Sequence, residues 1–172
     1  MADRIVVMYA GRVVEEGPVA EVIERPRHPY TRALVGAIPD HRRPRSLQGI
    51  PGVAVGVGEW PPGCAFAPRC EFAQERCTAA VPALEEAVPS HVVRCVRSNE
   101  LELAETRVEV VRAAAPAGDR KALLEVSGLH VEYRSGRGRN VAVGDVSFAI
   151  EAGRCVALVG ESGSGKTSIG RC

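Results

Sequence analysis

Val156-Ala157-Leu158-Val159-Gly160-Glu161-Ser162-Gly163-Ser164-Gly165-Lys166-Thr167-Ser168-Ile169 is the stretch that decides the fold. Residues 160–167 fill every fixed position of the phosphate-loop pattern G-x-x-x-x-G-K-[ST]. The apolar run Val156 to Val159 predicts a buried strand, and Lys166 to Ile169 predicts the opening of a helix, so strand, loop and helix stand in the required order. Gly160, Gly163 and Gly165 let the backbone take positive φ and turn its N–H groups inward, while the helix N-terminus adds about half a positive charge toward the phosphates. Lys166 is then in reach of β- and γ-phosphate oxygens, and the Thr167 hydroxyl of a bridging magnesium ion. The expected nucleotide-binding set is Gly160, Glu161, Ser162, Gly163, Ser164, Gly165, Lys166, Thr167 and Ser168.

Six residues follow Lys166, room for barely two helical turns. The acidic strand end that positions magnesium, a general base and a group that orients the attacking water are expected elsewhere. No complete catalytic set is therefore expected in these 172 residues.

Composition narrows the class further. The chain is 45% hydrophobic with a net charge of +1, which suits one or two globular units and indicates neither a bulk nucleic-acid binder nor a protein with acidic partners. No apolar run approaches the roughly 20 residues of a membrane helix, and Met1-Ala2-Asp3-Arg4-Ile5-Val6-Val7 lacks a signal peptide's layout. Three Phe, three Tyr and one Trp stand against eighteen Gly and twelve Pro, so a marginal core resting on Val, Leu, Ile and Ala is expected.

Toward the N-terminus, residues 4–9 and 12–16 are β-rich runs separated by Ala10-Gly11, which predicts a hairpin ending at Gly17-Pro18. A short helix through Ile23 follows, then a proline-punctuated turn. Pro29 stands at a first helical position before a helix over Thr31 to Ile38, which Pro39 ends. Residues 40–63, with four prolines and five glycines, predict an extended loop. Residues 112–122 are rich in small residues and mark a linker, after which 124–133 and 141–150 alternate as strands. The basic run Arg42-Arg43-Pro44-Arg45 predicts a solvated loop.

Four of the six cysteines fall at Cys64, Cys70, Cys77 and Cys95, a C-x5-C-x6-C-x17-C spacing in a segment short of large apolar side chains. Such a segment needs a staple. Beside a nucleotide loop, clustered cysteines point to metal rather than disulfides, and four thiolates suit tetrahedral zinc or an iron–sulfur cluster. The C-x2-C knuckle of zinc ribbons is missing. His91 is a substitute ligand or a solvated loop histidine, Cys155 a small core residue in the strand before the phosphate loop, and Cys172 carries no signal.

Three stretches taken together resemble the oligopeptide/dipeptide class of ATP-binding cassette transporter ATPases. They are Met8-Tyr9-Ala10-Gly11-Arg12-Val13-Val14-Glu15-Glu16-Gly17, His28-Pro29-Tyr30-Thr31-Arg32-Ala33-Leu34, and Gly63-Cys64-x-Phe66-x-Pro68-Arg69-Cys70. The resemblance implies an α/β fold made of parts of two phosphate-loop cassettes flanking a loop-rich cysteine extension. Residues 1–38 would end the first cassette, 39–97 form the extension, 98–122 link, and 123–172 open the second. It implies a [4Fe–4S] cluster on Cys64, Cys70, Cys77 and Cys95, with zinc as the alternative, and adenine stacked on Tyr133. It further implies Mg2+ and ATP as ligands, and an importer of peptides or a related small solute such as nickel. The parent would lie on the cytoplasmic face of the inner membrane. Its partners would be transmembrane permease subunits, a second ATPase domain and, indirectly, a substrate-binding protein, with no nucleic acid. Two rivals stand beside this reading: another phosphate-loop enzyme, such as a kinase or GTPase, with a structural zinc module, and a metal-cluster or redox-sensing module.

Overall fold

A computed structural model describes residues 2–38, 49–56, 59–101, 103, 121–135 and 138–172. In chain order its elements are strands β1 (Arg4–Tyr9) and β2 (Arg12–Pro18), helices α1 (Val19–Glu24) and α2 (Pro29–Gly36), a 3-10 turn (Ala67–Arg69), helix α3 (Arg76–Ala79), strands β3 (Glu85–Val88), β4 (His91–Val93), β5 (Ala122–Ser135), β6 (Gly138–Glu151) and β7 (Val156–Val159), and helix α4 (Lys166–Ile169). The fold is mixed α/β. The linker expected over 98–122 lies mostly, and the run Arg42-Arg43-Pro44-Arg45 wholly, outside the described residues.

The five-stranded sheet has the order β3-β4-β2-β1-β7, and β5 and β6 form a separate antiparallel ribbon. Ala10 (φ 47°) and Gly11 (φ 74°) close the β1–β2 hairpin with two left-handed residues, the turn whose twist matches the flanking strands. On its other edge β1 pairs parallel with β7, with Arg4 opposite Val156 and Val7 opposite Val159. The hairpin thus gains a third strand, and Val156–Val159 gains a parallel neighbour from near the start of the chain. The physical reason is β1 itself, whose residues 5–9 are apolar throughout and buried on both faces, as a strand needs when layers cover it above and below. Asp3 pins the entry to this pairing. Its carboxylate accepts from the Cys155 N–H at 2.9 Å and pairs with Arg154 at 2.9 Å, and those two contacts hold it below the usual carboxylate range.

Ile5, Val7 and Tyr9 pack with Val14, Val22, Tyr30 and Phe66 on one face, while Val6 and Met8 pack with Val13, Val143 and Val146 on the other. Helices and the cysteine segment thus cover one face, and the β5–β6 ribbon the other. The core is more aromatic than composition suggested: Tyr9, Tyr30 and Phe66 meet with centroids 4.7 to 5.4 Å apart. Such ring pairs add about 0.5–1.5 kcal/mol beyond their buried area.

Further differences are local. Strand β7 sits at the sheet edge and is half-buried, because one flank carries no strand among the described residues. Cys155 precedes β7 and is exposed, where a small core residue was expected. Helix α2 begins at Pro29 as expected but ends at Gly36.

His91 is no solvated loop residue. It opens β4, is fully buried, and its Nε2 lies 2.7 Å from Glu15 Oε1. The Glu15 carboxylate, equally buried, also accepts from the Arg27 N–H at 2.7 Å and the His28 N–H at 2.9 Å. It therefore satisfies two of the free donors around the start of α2 and ties that helix to β2 and β4. Removing it strands three polar groups in the interior. We expect Glu15→Ala to destabilise the fold by about 3–5 kcal/mol in urea titration. Val53→Ala, at a position 88% exposed, should stay within about 0.5 kcal/mol of the parent.

Candidate functional site

The phosphate loop follows β7 directly. Gly160, Gly163 and Gly165 take φ of 157°, 82° and 98°, each positive as the pattern requires. A side chain at Gly165 would be strained by that φ and would also press against the Ala142 carbonyl, 2.8 Å from where its Cβ would sit. The loop rests on the hairpin turn: the Gly11 N–H donates to the Ser164 carbonyl at 3.1 Å, and the Gly144 N–H to the Gly11 carbonyl at 2.9 Å. Ser164 is buried, whereas Ser162, Gly163 and Thr167 face solvent.

Lys166 Nζ lies over the loop, donating to the carbonyls of Gly160 (2.9 Å) and Glu161 (2.7 Å) and to Ser164 Oγ (3.1 Å). This concentrates a positive charge where the loop turns. Helix α4, a single turn of four residues, contributes its first N–H groups more than a macrodipole. Tyr133 comes to the same place from β5, its hydroxyl donating to Ser168 Oγ at 3.1 Å and its ring half exposed. Residues 35 apart in sequence thus meet beside the loop.

What holds the loop from behind was not legible in the sequence. The Glu161 N–H donates to the Tyr30 hydroxyl at 2.8 Å, and its carboxylate takes a two-pronged contact from Arg69 Nη1 (2.8 Å) and Nη2 (3.3 Å). Arg69 is buried at the end of the 3-10 turn and also donates to Tyr9 Oη, Pro51 O and Ile50 O. Its contact with Glu161 raises it further above its ordinary range. Burial raises the Tyr30 phenol too, so its hydroxyl stays neutral and free to accept from the loop.

Cys64, Cys70, Cys77 and Cys95 line one cavity, which holds about 350 Å³ of empty space, part of it open to solvent, between Phe66, Phe72 and His28. Local backbone bonds place them: Cys64 N–H to Cys77 O at 2.8 Å, and Cys70 N–H to Ala67 O at 3.2 Å. Cys95 follows a strand tied to β2 by the Arg94 N–H to Val14 O bond at 2.8 Å. The first pair leaves no room beside Gly63, where a Cβ would lie 2.4 Å from the Cys77 carbonyl. All four are free thiols, and burial pushes Cys64, Cys70 and Cys95 up. His91, bonded to Glu15, is not on the cavity wall. His28 is: Nδ1 accepts from the Tyr30 N–H at 3.1 Å, Nε2 has no hydrogen-bond partner among the described residues, and burial lowers the ring's pKa to about 4. Among the described residues no three His, Cys, Asp or Glu side chains are placed to hold one metal ion.

Residues 14–77 match the family described as oligopeptide/dipeptide transporter, C-terminal region. The matched stretch is 64 of the 172 residues. It contains α1, α2, Arg69 and three of the four cavity cysteines, with Cys95 just outside. The oligopeptide transport ATP-binding protein OppD of Mycobacterium tuberculosis is 37% identical over 182 aligned positions, 97% of this chain and 30% of that protein. A Brucella ovis protein named for peptide import and ATP binding is 50% identical over 108 residues, 59% of this chain and 32% of that protein. The dipeptide transport ATP-binding protein DppD of Escherichia coli is 42% identical over 95 residues, 55% of this chain and 29% of that protein. The chain thus spans about 30% of the length of these relatives. The resemblance read from the hairpin, the His28-Pro29-Tyr30 stretch and the cysteine spacing belongs to this peptide-transporter class.

The contrast in burial among the cysteines is directly measurable. In the metal-free chain at pH 8, iodoacetamide should modify Cys155 and Cys172 first, with Cys64, Cys70, Cys77 and Cys95 lagging by at least about tenfold. Mass spectrometry of timed aliquots resolves the two groups. Equal rates at all six positions would contradict this contrast in burial.

Proposed function

We propose that the chain is part of the ATP-binding subunit of a peptide-class ABC transporter, at the cytoplasmic face of the membrane. The observation that carries this reading is a complete phosphate loop packed through Glu161 onto the oligopeptide/dipeptide C-terminal region. Among the described residues no helix is long and apolar enough to cross a membrane, so attachment would run through permease subunits. In this reading residues 1–38 end one cassette, 39–97 form its extension, 98–122 link, and 123–172 open a second. The other half of the nucleotide site would come from a second ATPase domain, and peptide would reach the permease from a substrate-binding protein.

In this reading the loop amides and Lys166 bind the β- and γ-phosphates, and Thr167 ligates Mg2+ from its solvent-facing position. Tyr133, anchored to Ser168 by its hydroxyl, offers a ring face to the adenine.

The four cysteines fit a [4Fe–4S] cluster by donor chemistry, since four thiols and no competing carboxylate line a largely apolar cavity. Zinc would need its sulfurs within about 2.3 Å of one point. The cysteines here surround a space, and no three ligand-type side chains among the described residues converge on a single ion. Bound there, a cluster would supply a one-electron couple and a cross-link in a segment short of core.

Two measurements test the reading. Lys166→Ala should weaken Mg-ATP binding by about a hundredfold, roughly 3 kcal/mol for one charge-assisted donor in a shielded loop. Unchanged affinity sinks the site assignment. Chain purified without oxygen should be brown and carry about four iron and four sulfide, as the cluster formula requires. A colourless chain with one zinc would replace the cluster by a structural ion.

A further inference from the structure

Arg69 precedes Cys70 in sequence and closes the 3-10 turn that sets Cys70 on the cavity wall. Its guanidinium passes the rings of Tyr9 and Phe66 and ends on the Glu161 carboxylate inside the phosphate loop. Glu161 is held at three points: its carboxylate by Arg69, its N–H by Tyr30, and its carbonyl by Lys166 Nζ. The side chain of Arg69 is 5% exposed and that of Glu161 27%, so the pair is only partly screened by water. One covalent step and two hydrogen-bonded steps therefore join a cavity thiol to the phosphate-binding lysine.

We propose that Arg69 is a positioning residue for the phosphate loop, and that through its pair with Glu161 occupancy of the four-cysteine cavity and binding of Mg-ATP affect one another. The inference rests on the proposed function and deepens it. Two physical consequences follow. First, Arg69 neutralises a carboxylate that stands in the loop where phosphate oxygens bind, and without it Glu161 would repel them. Second, a cluster held by Cys70 would restrain the turn that carries Arg69, and through it the position of Glu161. By linkage, the factor by which iron and sulfide change ATP affinity must equal the factor by which ATP changes cluster affinity.

The experiment uses the full chain, metal-free or reconstituted with ferrous iron and sulfide, and reads Mg-ATP affinity by titration calorimetry. Arg69→Met should weaken binding about tenfold or more. Adding Glu161→Gln should restore it to within about threefold, because the unpaired carboxylate is gone; a purely structural role for Arg69 would show no such rescue. Arg69→Lys keeps the charge without the two-pronged contact and should fall between, which keeps the proposal testable if Arg69→Met does not fold. Reconstitution should shift the affinity of the parent chain by about threefold or more and leave the double variant unshifted. Parent-like affinity in Arg69→Lys together with Arg69→Met, lack of rescue, or equal affinity with and without iron overturns the proposal. Failure of the parent chain itself to bind Mg-ATP overturns the proposed function as well, and so separates the two readings.

Discussion

Strand β1 is the element on which the rest of the molecule depends. Its edges hold β2 on one side and β7 on the other, and its faces hold the helices with the cysteine segment and the β5–β6 ribbon. A strand in that position must be apolar at every residue, and Ile5-Val6-Val7-Met8-Tyr9 is. The phosphate loop leaves β7 beside the end of β1, so the orientation of the loop is set by the register of four residue pairs. Tyr9, the last residue of β1, already touches both Tyr30 and Arg69, the two side chains that grip Glu161.

Glu15 complements β1 by fixing the layer above it. A buried carboxylate is expensive unless its oxygens are used, and here two backbone N–H groups and one imidazole use them. The arrangement aims the start of α2 so that Tyr30 reaches the loop and His28 reaches the cysteine cavity. The His28-Pro29-Tyr30 stretch thereby has a physical role at each position: a cap, a first helical residue and a loop support.

Much of the local structure was legible in the sequence because its causes are local. Ala10-Gly11 demands a tight turn, Pro29 starts a helix, and the glycines of residues 160–165 announce positive φ. Spacing also grouped Cys64, Cys70, Cys77 and Cys95, which line one cavity. What escaped reading depends on partners far away in sequence. Nothing within a few positions of Glu15 or His91 reveals the other, so the sequence offered His91 only as a substitute ligand or a loop residue. Glu161 occupies a variable position of the loop pattern, and Arg69 lies 92 residues before it. Cys155 was misplaced for a related reason: strand β7 begins one residue later, and its outer edge is open among the described residues.

The pairing of β1 with β7 also governs how the molecule assembles. The β1–β2 hairpin and the β5–β6 ribbon close over short loops and can form on microsecond scales. Asp3 and Cys155, by contrast, meet across a separation of 152 residues. Loop closure of that length comes late, after the local pieces exist, and high contact order slows it further. The contact that carries the phosphate loop into place is therefore the costliest of these to close, and the local hairpins do not by themselves secure it.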